Sequence, residues 1–226
     1  MRPASDQCSL TRTGPHHITQ RGNRRQQVFF RDDDYDAYLE LLAEWCRKAG
    51  VEIWAYCLMP NHVHLIALPQ AEDSLAKGIG EAHRRYTRMI NFREKWRGYL
   101  WQGRFASFPM DERYLLVAAR YIELNPIRAG LVRKPEEYAW SSAAAHLKGK
   151  DDRLVITKPL LEMRDDWRAF LTDEPSADEM DALRKHESTG RPLGSDNFIK
   201  KLEQLFNRIF RPRPGGRPAN VKQEEN

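Results

Sequence analysis

Long apolar runs are missing from this sequence of 226 residues. No stretch approaches the roughly 18 apolar residues that a membrane-spanning helix requires, so we expect no membrane partner. The opening residues, MRPASDQCSL, also lack the apolar segment of a secretory signal. These absences argue against an integral membrane protein and favour a cytoplasmic location.

Cysteine is scarce as well. Its three copies, Cys8, Cys46 and Cys57, are an odd number at wide spacing. This excludes a disulfide framework and a zinc site built from cysteine alone, and it fits a reducing compartment. No internal repeat is apparent, and the length suits one large domain or one domain with an appendage.

The charge that the sequence does contain is clustered. The net charge is +5. Residues 12–31 hold five arginines and no acid, and residues 79–105 hold seven lysines or arginines against two acids. Residues 151–190 reverse the balance with eleven acids against six bases, and residues 191–226 are basic again, eight against four. Clustered positive charge is typical of phosphate binding, although a single cluster also fits a solvated surface.

Aromatic residues are interleaved with the second basic cluster. They are Tyr86, Phe92, Trp96, Tyr99, Trp101 and Phe105. Bases of single-stranded nucleic acids stack on such side chains near arginines, which favours a nucleic-acid partner. Ordinary core packing is the competing interpretation, and it is expected to account for more than half of these residues.

The order of the predicted elements indicates the fold class. Extended pieces are predicted in HHITQRGNRRQQVFF, and a helix in DDDYDAYLELLAEWCRKAG. A β-hairpin follows in VEIWAYCLM and HVHLIALP, then a helix within residues 73–96, an extended piece in GYLWQGRFASFPM, and a helix over residues 111–125 that Pro126 stops. The order β, α, β, β, α, β, α predicts an α+β fold, a ferredoxin-like split βαβ antiparallel sheet with helices on one face.

Two histidines, His62 and His64, stand two residues apart in the predicted strand HVHLIALP. Residues i and i+2 of a strand point to the same side, so the two imidazoles would form a bidentate site for a divalent metal. Two surface histidines on a half-buried strand are the alternative, and the more frequent one for an isolated His-x-His pair. A third ligand is needed to complete a metal site.

The helix that contains YIELNP offers such a ligand. Tyr121 and Asn125 are four residues apart and would share one helix face. An Asn carbonyl oxygen suits magnesium or manganese, and a nearby metal would stabilise the phenolate of a nucleophilic tyrosine. The residues alone leave open that Tyr121 lies at the edge of the core and that Asn125 only ends the helix.

Four separated motifs, MPNHVHLI, WQGRF, RYIELNPIRAGLV and YAWSS, occur in one order within residues 12–146. In this order they resemble the single-tyrosine HUH transposases, and more narrowly the REP-associated tyrosine transposases. The resemblance implies that His62, His64 and Asn125 bind Mg²⁺ or Mn²⁺ and that Tyr121 is the catalytic nucleophile. Broader insertion-sequence relatives carry Gln where this chain has Asn125.

The resemblance also implies an activity and partners. Such proteins cleave and rejoin single-stranded DNA through a 5′-phosphotyrosine intermediate, act on REP-like palindromic hairpins, and work as a monomer or homodimer. A nucleoid-associated endonuclease is therefore expected, and a catalytically inactive nucleic-acid-binding protein of the same fold is the alternative. The residues expected to bind DNA are Arg21, Arg24, Arg25, Arg84, Arg85, Arg88 and Arg104.

Three regions are predicted along the chain. Residues 1–146 form the HUH transposase domain, residues 147–190 an acidic linker or helical region, and residues 191–226 a basic, partly disordered extension. Within the extension, residues 195–210 have the pattern of an amphipathic helix, and RPRPGGRP resembles a minor-groove-binding tail. A solubilising tail is the equal alternative.

Overall fold

A four-stranded antiparallel sheet forms the centre of the computed structural model, which describes residues 14–173 and 175–211. The strands are β1 His16–Arg21, β2 Val51–Met59, β3 His62–Pro69 and β4 Ala106–Pro109, in the order β2-β3-β1-β4. Strand β3 lies between β1 and β2 and is antiparallel to both, which is the split βαβ arrangement. The predicted ferredoxin-like fold class is confirmed.

Helices α1 Asp32–Ala49 and α2 Glu81–Glu94 cover one face of the sheet. Three aspartates open α1, where they suit the positive end of the helix dipole, and Gly50 ends it in a left-handed conformation with φ 65°. A π-helical turn, Ala76–Gly80, leads directly into α2. The fully buried side chains of this first core include Ile18, Tyr38, Leu42, Leu65 and Tyr86.

Helix α3, Glu112–Glu123, covers the opposite face, so the prediction that the helices share one face is wrong for this helix. The reason lies in β2, whose C-terminal half is buried on both sides. Tyr56 belongs to the first core, whereas Ala55, Cys57 and Met59 pack with α3 in a second core. A sheet with two apolar faces needs a helical layer on each of them.

Helix α3 ends earlier than the sequence pattern predicts. The Asp111 carboxylate caps its first turn by accepting a hydrogen bond from the Tyr114 amide at 3.1 Å. Leu124 closes α3, and a separate short helix, α4 Asn125–Arg128, follows with Pro126 in its first turn. Pro126 therefore opens α4 instead of stopping α3, because a first-turn position needs no backbone N–H.

Further helices follow the four motifs. Within the described residues they are α5 Ala143–Lys148, α6 Lys158–Leu161, α7 Trp167–Thr172, α8 Ala177–Thr189 and α9 Asp196–Phe206. Apolar side chains of α6, α7 and α8 extend the second core, and α8 packs against α3 and β4. The acidic segment is thus largely helical, while the division into three regions stays a prediction. No helix in the described ranges combines the length and apolar character needed to cross a bilayer.

The amphipathic helix predicted near the end of the chain is present as α9. Ser195 caps it, and Leu202 is its buried apolar residue, whereas Leu205 and Phe206 are exposed. Of the RPRPGGRP tail, only Arg211 falls within the described residues. The remainder of that tail, like Cys8 and Arg12 near the beginning of the chain, lies outside them.

Gly22 stands where two backbone segments approach closely. A β-carbon built on Gly22 would lie 2.2 Å from the carbonyl oxygen of Gln26 and 2.8 Å from a methyl group of Val28. Neither neighbour moves easily, because the first is backbone and the second is a fully buried side chain. We expect Gly22→Ala to lower the free energy of unfolding by about 1–3 kcal/mol, measured by urea denaturation.

Gly80→Ala is the matched control. Gly80 has helical angles, φ −60° and ψ −40°, and the nearest atom to a β-carbon would be 3.8 Å away. Alanine is therefore expected to be neutral or stabilising at Gly80. A Gly22→Ala variant as stable as the wild type would contradict the close approach.

Candidate active site

The two histidines of the HVH motif lie at the beginning of β3 and face α3. His64 is paired across the sheet with Cys57, which packs with α3, and His62 precedes it by two residues on the same side. Their ring centroids are 5.0 Å apart, with His64 buried and His62 half-buried. His62 Nδ1 is 2.6 Å from the side-chain oxygen of Asn61, which accepts the Nδ1 proton and leaves Nε2 as the metal-binding atom.

Tyr121 lies in the last turn of α3, close to His64. Its ring centroid is 5.4 Å from that of His64, and the guanidinium of Arg128 lies 4.5 Å from the Tyr121 centroid. Burial raises the pKa of Tyr121 above its usual value, and the carboxylate of Glu187 adds to this effect. Arg128 and Arg184 act in the opposite direction. The structure thus brings the candidate nucleophile close to His64, one of the candidate metal ligands.

Asn125 occupies a different element from Tyr121. It is the first residue of α4 and is half-buried, and its backbone carbonyl accepts a hydrogen bond from the Ala129 amide at 3.0 Å. Because α3 stops at Glu123, the two residues do not share one continuous helix face as the sequence pattern predicted. The role of Asn125 as a ligand stays a prediction.

Two residues that sequence reasoning missed contact His64. His17 Nε2 lies 3.2 Å from His64 Nδ1, and Glu187 Oε1 lies 3.9 Å from His17 Nε2 and 3.8 Å from His64 Nδ1. His17 is on β1, which pairs with β3, so the HH dipeptide before ITQR was an available signal. Glu187 comes from α8, and no sequence signal connects it to the histidines.

Burial sets the charge of these groups. It lowers the pKa of His17 to about 3 and that of His62 to about 4, where Arg21 adds to the effect. It also lowers the pKa of His64 well below its usual value. The three imidazoles are therefore neutral at pH 7, the form that binds metals. Burial raises the pKa of Glu187 to about 7, against the opposing effect of Arg21 and Arg184.

A set of residues that includes His64 but neither His62 nor Asn125 fits a divalent metal. Ligand atoms of His17, His64 and Glu187 all lie within 4.8 Å of one another. Glu187 Oε1 is buried and has no hydrogen-bond partner in the described part of the chain. An unsatisfied carboxylate oxygen beside two imidazoles fits a bound cation, because buried polar atoms are otherwise paired.

The arginines predicted to bind DNA fall into two groups. Arg21 ends β1 opposite His62, and Arg24 and Arg25 form the adjacent turn with left-handed φ angles of 53° and 62°. Arg104 is exposed just before β4, next to Gly103, whose carbonyl oxygen accepts a hydrogen bond from Gln20 on β1 at 2.8 Å. This first group therefore lies at the end of the sheet that holds His62.

The second group lies on α2, which covers the face opposite to Tyr121. Arg84, Arg85 and Arg88 are all exposed, and the first two form ion pairs with Glu81. The structure does not bring these three arginines to the histidines. His83, a buried histidine of the same helix, is also on this face, where its ring nitrogen Nε2 is 2.7 Å from the Tyr38 hydroxyl.

A family profile matches this chain. The family is described as Transposase IS200 like, and the match covers residues 13–125, which is half of the chain. The chain therefore belongs to the IS200-like transposase family. The matched region includes His62, His64, Tyr121 and Asn125, whereas α8 and Glu187 lie beyond it.

A related protein indicates which kind of transposase this chain resembles. The Haemophilus influenzae protein named "Putative REP-associated tyrosine transposase" is 28% identical over 116 residues, which cover 46% of this chain and 66% of the relative. The chain thus spans slightly less than two thirds of that relative's length. Together with the family match, this confirms the resemblance to REP-associated tyrosine transposases.

A solved structure of a related protein shares the fold. A REP-associated tyrosine transposase bound to a REP hairpin aligns with a TM-score of 0.52 at 22% identity, covering 64% of this chain and 86% of the other. A "putative transposase" from Deinococcus radiodurans R1 is 25% identical and covers 49% of this chain and 89% of its own, with a TM-score of 0.37. The first alignment supports the HUH transposase fold, whereas the TM-score of the second alignment is too low to support an argument.

Proposed function

We propose that this protein cleaves and rejoins single-stranded DNA through a covalent link to Tyr121. The observation that carries the proposal is the position of the Tyr121 ring, 5.4 Å from that of His64 and within a cluster of neutral imidazoles. A phenol beside donor atoms for a divalent cation is suited to nucleophilic attack on a phosphodiester. Membership of a transposase family agrees with this chemistry.

The reaction consists of two phosphoryl transfers. The Tyr121 oxygen attacks phosphorus and loses its proton, while the bond from phosphorus to the 3′ oxygen breaks and that oxygen takes up a proton. The 5′ end of the DNA then remains on the tyrosine. In the second transfer, a 3′-hydroxyl attacks the phosphotyrosine, which restores a phosphodiester and the phenol. Each step exchanges one phosphate ester for another, so no ATP is needed.

His62, His64 and Asn125 are the proposed ligands of Mg²⁺ or Mn²⁺. When bound, such a metal polarises a phosphate oxygen and offsets the negative charge that develops on it. The protein contributes the orientation of the ligands. Asn61 fixes the tautomer of His62, and His17 holds the ring of His64 through their 3.2 Å contact.

Arginines beside Tyr121 would assist the attack. The pKa of a buried phenol is raised, and the charges of Arg128 and Arg184 counteract this at Tyr121. Both guanidiniums would also stabilise negative charge on a bound phosphate.

The substrate that we propose is a REP-like hairpin with adjoining single-stranded DNA. Arg21, Arg24, Arg25 and Arg104 lie at the His62 end of the sheet, where their charges suit the phosphates of the strand being cut. Left-handed φ angles at Arg24 and Arg25 are unusual for residues other than glycine and are frequent at ligand-binding sites. The oligomeric state proposed is a monomer or homodimer.

A second surface suits unpaired bases. We call it the α2 C-terminal surface, formed by Arg88, Phe92, Trp96, Arg97 and Tyr99. Phe92 is 87% exposed and Tyr99 is 83% exposed, whereas Tyr86 and Trp101 from the same cluster are buried in the core. The carbonyl oxygen of Tyr99 accepts a hydrogen bond from the Asn23 side chain, so this surface adjoins the Arg24–Arg25 turn. Exposed aromatic rings among arginines are suited to base stacking.

Removing these rings is expected to weaken single-strand binding. Phe92→Ala and Tyr99→Ala should each reduce the affinity for a labelled hairpin with a single-stranded flank by at least about fivefold, since stacking contributes about 1–3 kcal/mol per base. Fluorescence anisotropy at fixed salt measures the effect. Leu205→Ala, at an exposed apolar residue of α9, is the control and should leave the affinity unchanged. Unchanged affinity in both aromatic variants would show that the surface does not hold DNA.

The proposed activity is tested by trapping the intermediate. The full-length protein is incubated with Mn²⁺ and a REP-like hairpin labelled at its 3′ end, and the products are separated on a denaturing gel. A 5′-phosphotyrosine link leaves the downstream fragment on the protein, so a labelled band should run at the size of protein plus DNA. Mass spectrometry of the digested adduct should place the link at Tyr121.

Two other outcomes support other functions. Free cleaved DNA without any adduct supports a hydrolytic metal nuclease, in which water replaces the tyrosine. Binding without cleavage supports a nucleic-acid-binding protein that keeps the fold without the activity. We favour the covalent mechanism because the Tyr121 ring lies 5.4 Å from that of His64.

A further inference from the structure

We propose that His17, His64 and Glu187 form a binding site for a first-row transition metal, distinct from the set of His62, His64 and Asn125. We call it the α8 metal site, because α8 supplies its carboxylate. It deepens the proposed function, since it shares His64 with the proposed catalytic ligands. It adds two ligands, His17 and Glu187, that the family resemblance did not suggest.

The three ligand atoms already have the spacing of a metal site. Two atoms that bind one metal at about 2.1 Å can be at most about 4.2 Å apart. His17 Nε2 and His64 Nδ1 are 3.2 Å apart, and Glu187 Oε1 is 3.9 Å and 3.8 Å from them. All three distances are within that limit, so the ligands converge without a rearrangement of the strands or of α8.

The site is held by the fold. His17 and His64 are fully or almost fully buried on neighbouring strands, and Glu187 is half-buried. Helix α8 is anchored by Leu183, which is completely buried, and by an ion pair between Arg113 of α3 and Glu179 at 3.2 Å. A carboxylate fixed in this way, with a buried oxygen that has no hydrogen-bond partner among the described residues, is suited to binding a cation.

The donor set selects the class of metal. Two imidazoles and one carboxylate are the ligands of many zinc, manganese and iron sites, which leave positions open for other ligands. Mg²⁺ prefers an all-oxygen environment and retains its water molecules. The α8 metal site is therefore expected to bind Mn²⁺, Co²⁺ or Zn²⁺ more tightly than Mg²⁺.

The two ligand sets exclude each other at His64. A neutral imidazole has a single lone pair, so His64 binds a metal through Nδ1 or through Nε2 but not through both. In the α8 metal site it uses Nδ1, whereas a metal at Nε2 leaves Nδ1 protonated and bonded to His17. In the protein without DNA, the contacts favour the α8 metal site, because Glu187 already faces Nδ1.

Metal titration without DNA shows which of the two ligand sets binds the metal. Mn²⁺ binding to the full-length protein is measured by isothermal titration calorimetry, with Mg²⁺ as a competitor. Glu187→Gln and His17→Gln should each weaken Mn²⁺ binding by at least about tenfold, while Asn125→Ala and His62→Ala should leave it nearly unchanged. Asp178→Asn, which removes an exposed carboxylate from the same helix, is the matched control for charge and should have no effect.

Each result decides between the two sets. Loss of binding in Asn125→Ala and His62→Ala with normal binding in Glu187→Gln would place the metal in the other set and overturn the proposal. Equal losses in all four variants, or no loss in any, would overturn it as well. Glu187→Gln alone is decisive if circular dichroism shows that His17→Gln does not fold. The adduct at Tyr121 is assayed independently, so failure here leaves the proposed function testable.

Discussion

Replacing Tyr121 with phenylalanine is expected to abolish the covalent protein–DNA adduct and to lower strand cleavage by at least about a thousandfold. Phenylalanine removes only the oxygen that attacks phosphorus and keeps the ring that packs against His64. Loss of a catalytic nucleophile commonly lowers the rate by several orders of magnitude. Denaturing gels with hairpin DNA labelled at the 3′ end measure both quantities, because the adduct retains that end.

Tyr114→Phe is the matched control. Tyr114 is a half-buried tyrosine of the same helix, and its ring lies beside Arg113 and packs against the second core. The Tyr114 variant should form the adduct at the wild-type rate, and both variants should bind the hairpin with unchanged affinity. Cleavage that survives in Tyr121→Phe would mean that water is the nucleophile and that the covalent mechanism is wrong.

The second large effect concerns stability. Glu123, at the end of α3, is completely buried and binds three side chains. Its Oε1 accepts hydrogen bonds from Ser142 Oγ and His146 Nδ1, both at 2.6 Å, and its Oε2 accepts one from Trp167 Nε1 at 2.8 Å. Glu123→Ala should lower the free energy of unfolding by about 3–5 kcal/mol, because buried donors lose their common acceptor. Urea denaturation followed by circular dichroism measures this change.

The control for this variant is Glu112→Ala at the other end of α3. Glu112 is exposed and forms no hydrogen bond or ion pair with the described residues, so its removal should leave stability nearly unchanged. Glu123→Gln should fall between the two, since it keeps one oxygen acceptor and the side-chain volume. If Glu123→Ala unfolded at the same urea concentration as the wild type, the buried network would not join α5 and α7 to α3.

The fold was predictable because its signals are local. Apolar alternation in VEIWAYCLM and HVHLIALP, the aspartates that open α1 and the Gly50 that ends it depend on neighbouring residues only. The order of these elements then leaves few arrangements of the sheet. The layer formed by α3 was not predictable in this way. Its placement depends on which face of β2 remains uncovered after α1 and α2 have packed.

For the arginines, too, the sequence predicted one property and left another to the tertiary structure. Clustering along the chain predicted a phosphate-binding protein, and most of these side chains are exposed in the described part of the chain. The clusters themselves lie on two different parts of the molecule, with Arg21 near His62 and Arg84 on α2. The interleaved aromatics also divide, since Phe92 and Tyr99 are exposed while Tyr86 is in the core. Distance along the sequence predicts neither which arginines lie together nor which aromatic rings are exposed, because exposure depends on the helix face.

The sequence by itself determined the chemistry of the proposed site. It contains two histidines that are two residues apart on a strand, His62 and His64, and a tyrosine in YIELNP. The local directions of these side chains are also predictable, since side-chain direction follows from backbone periodicity. Only the tertiary structure decided what surrounds them. His17 reaches His64 through pairing of β1 with β3, and Glu187 reaches it from α8, far along the chain. Such contacts depend on how complete helices and strands pack, and no short segment of sequence contains that information.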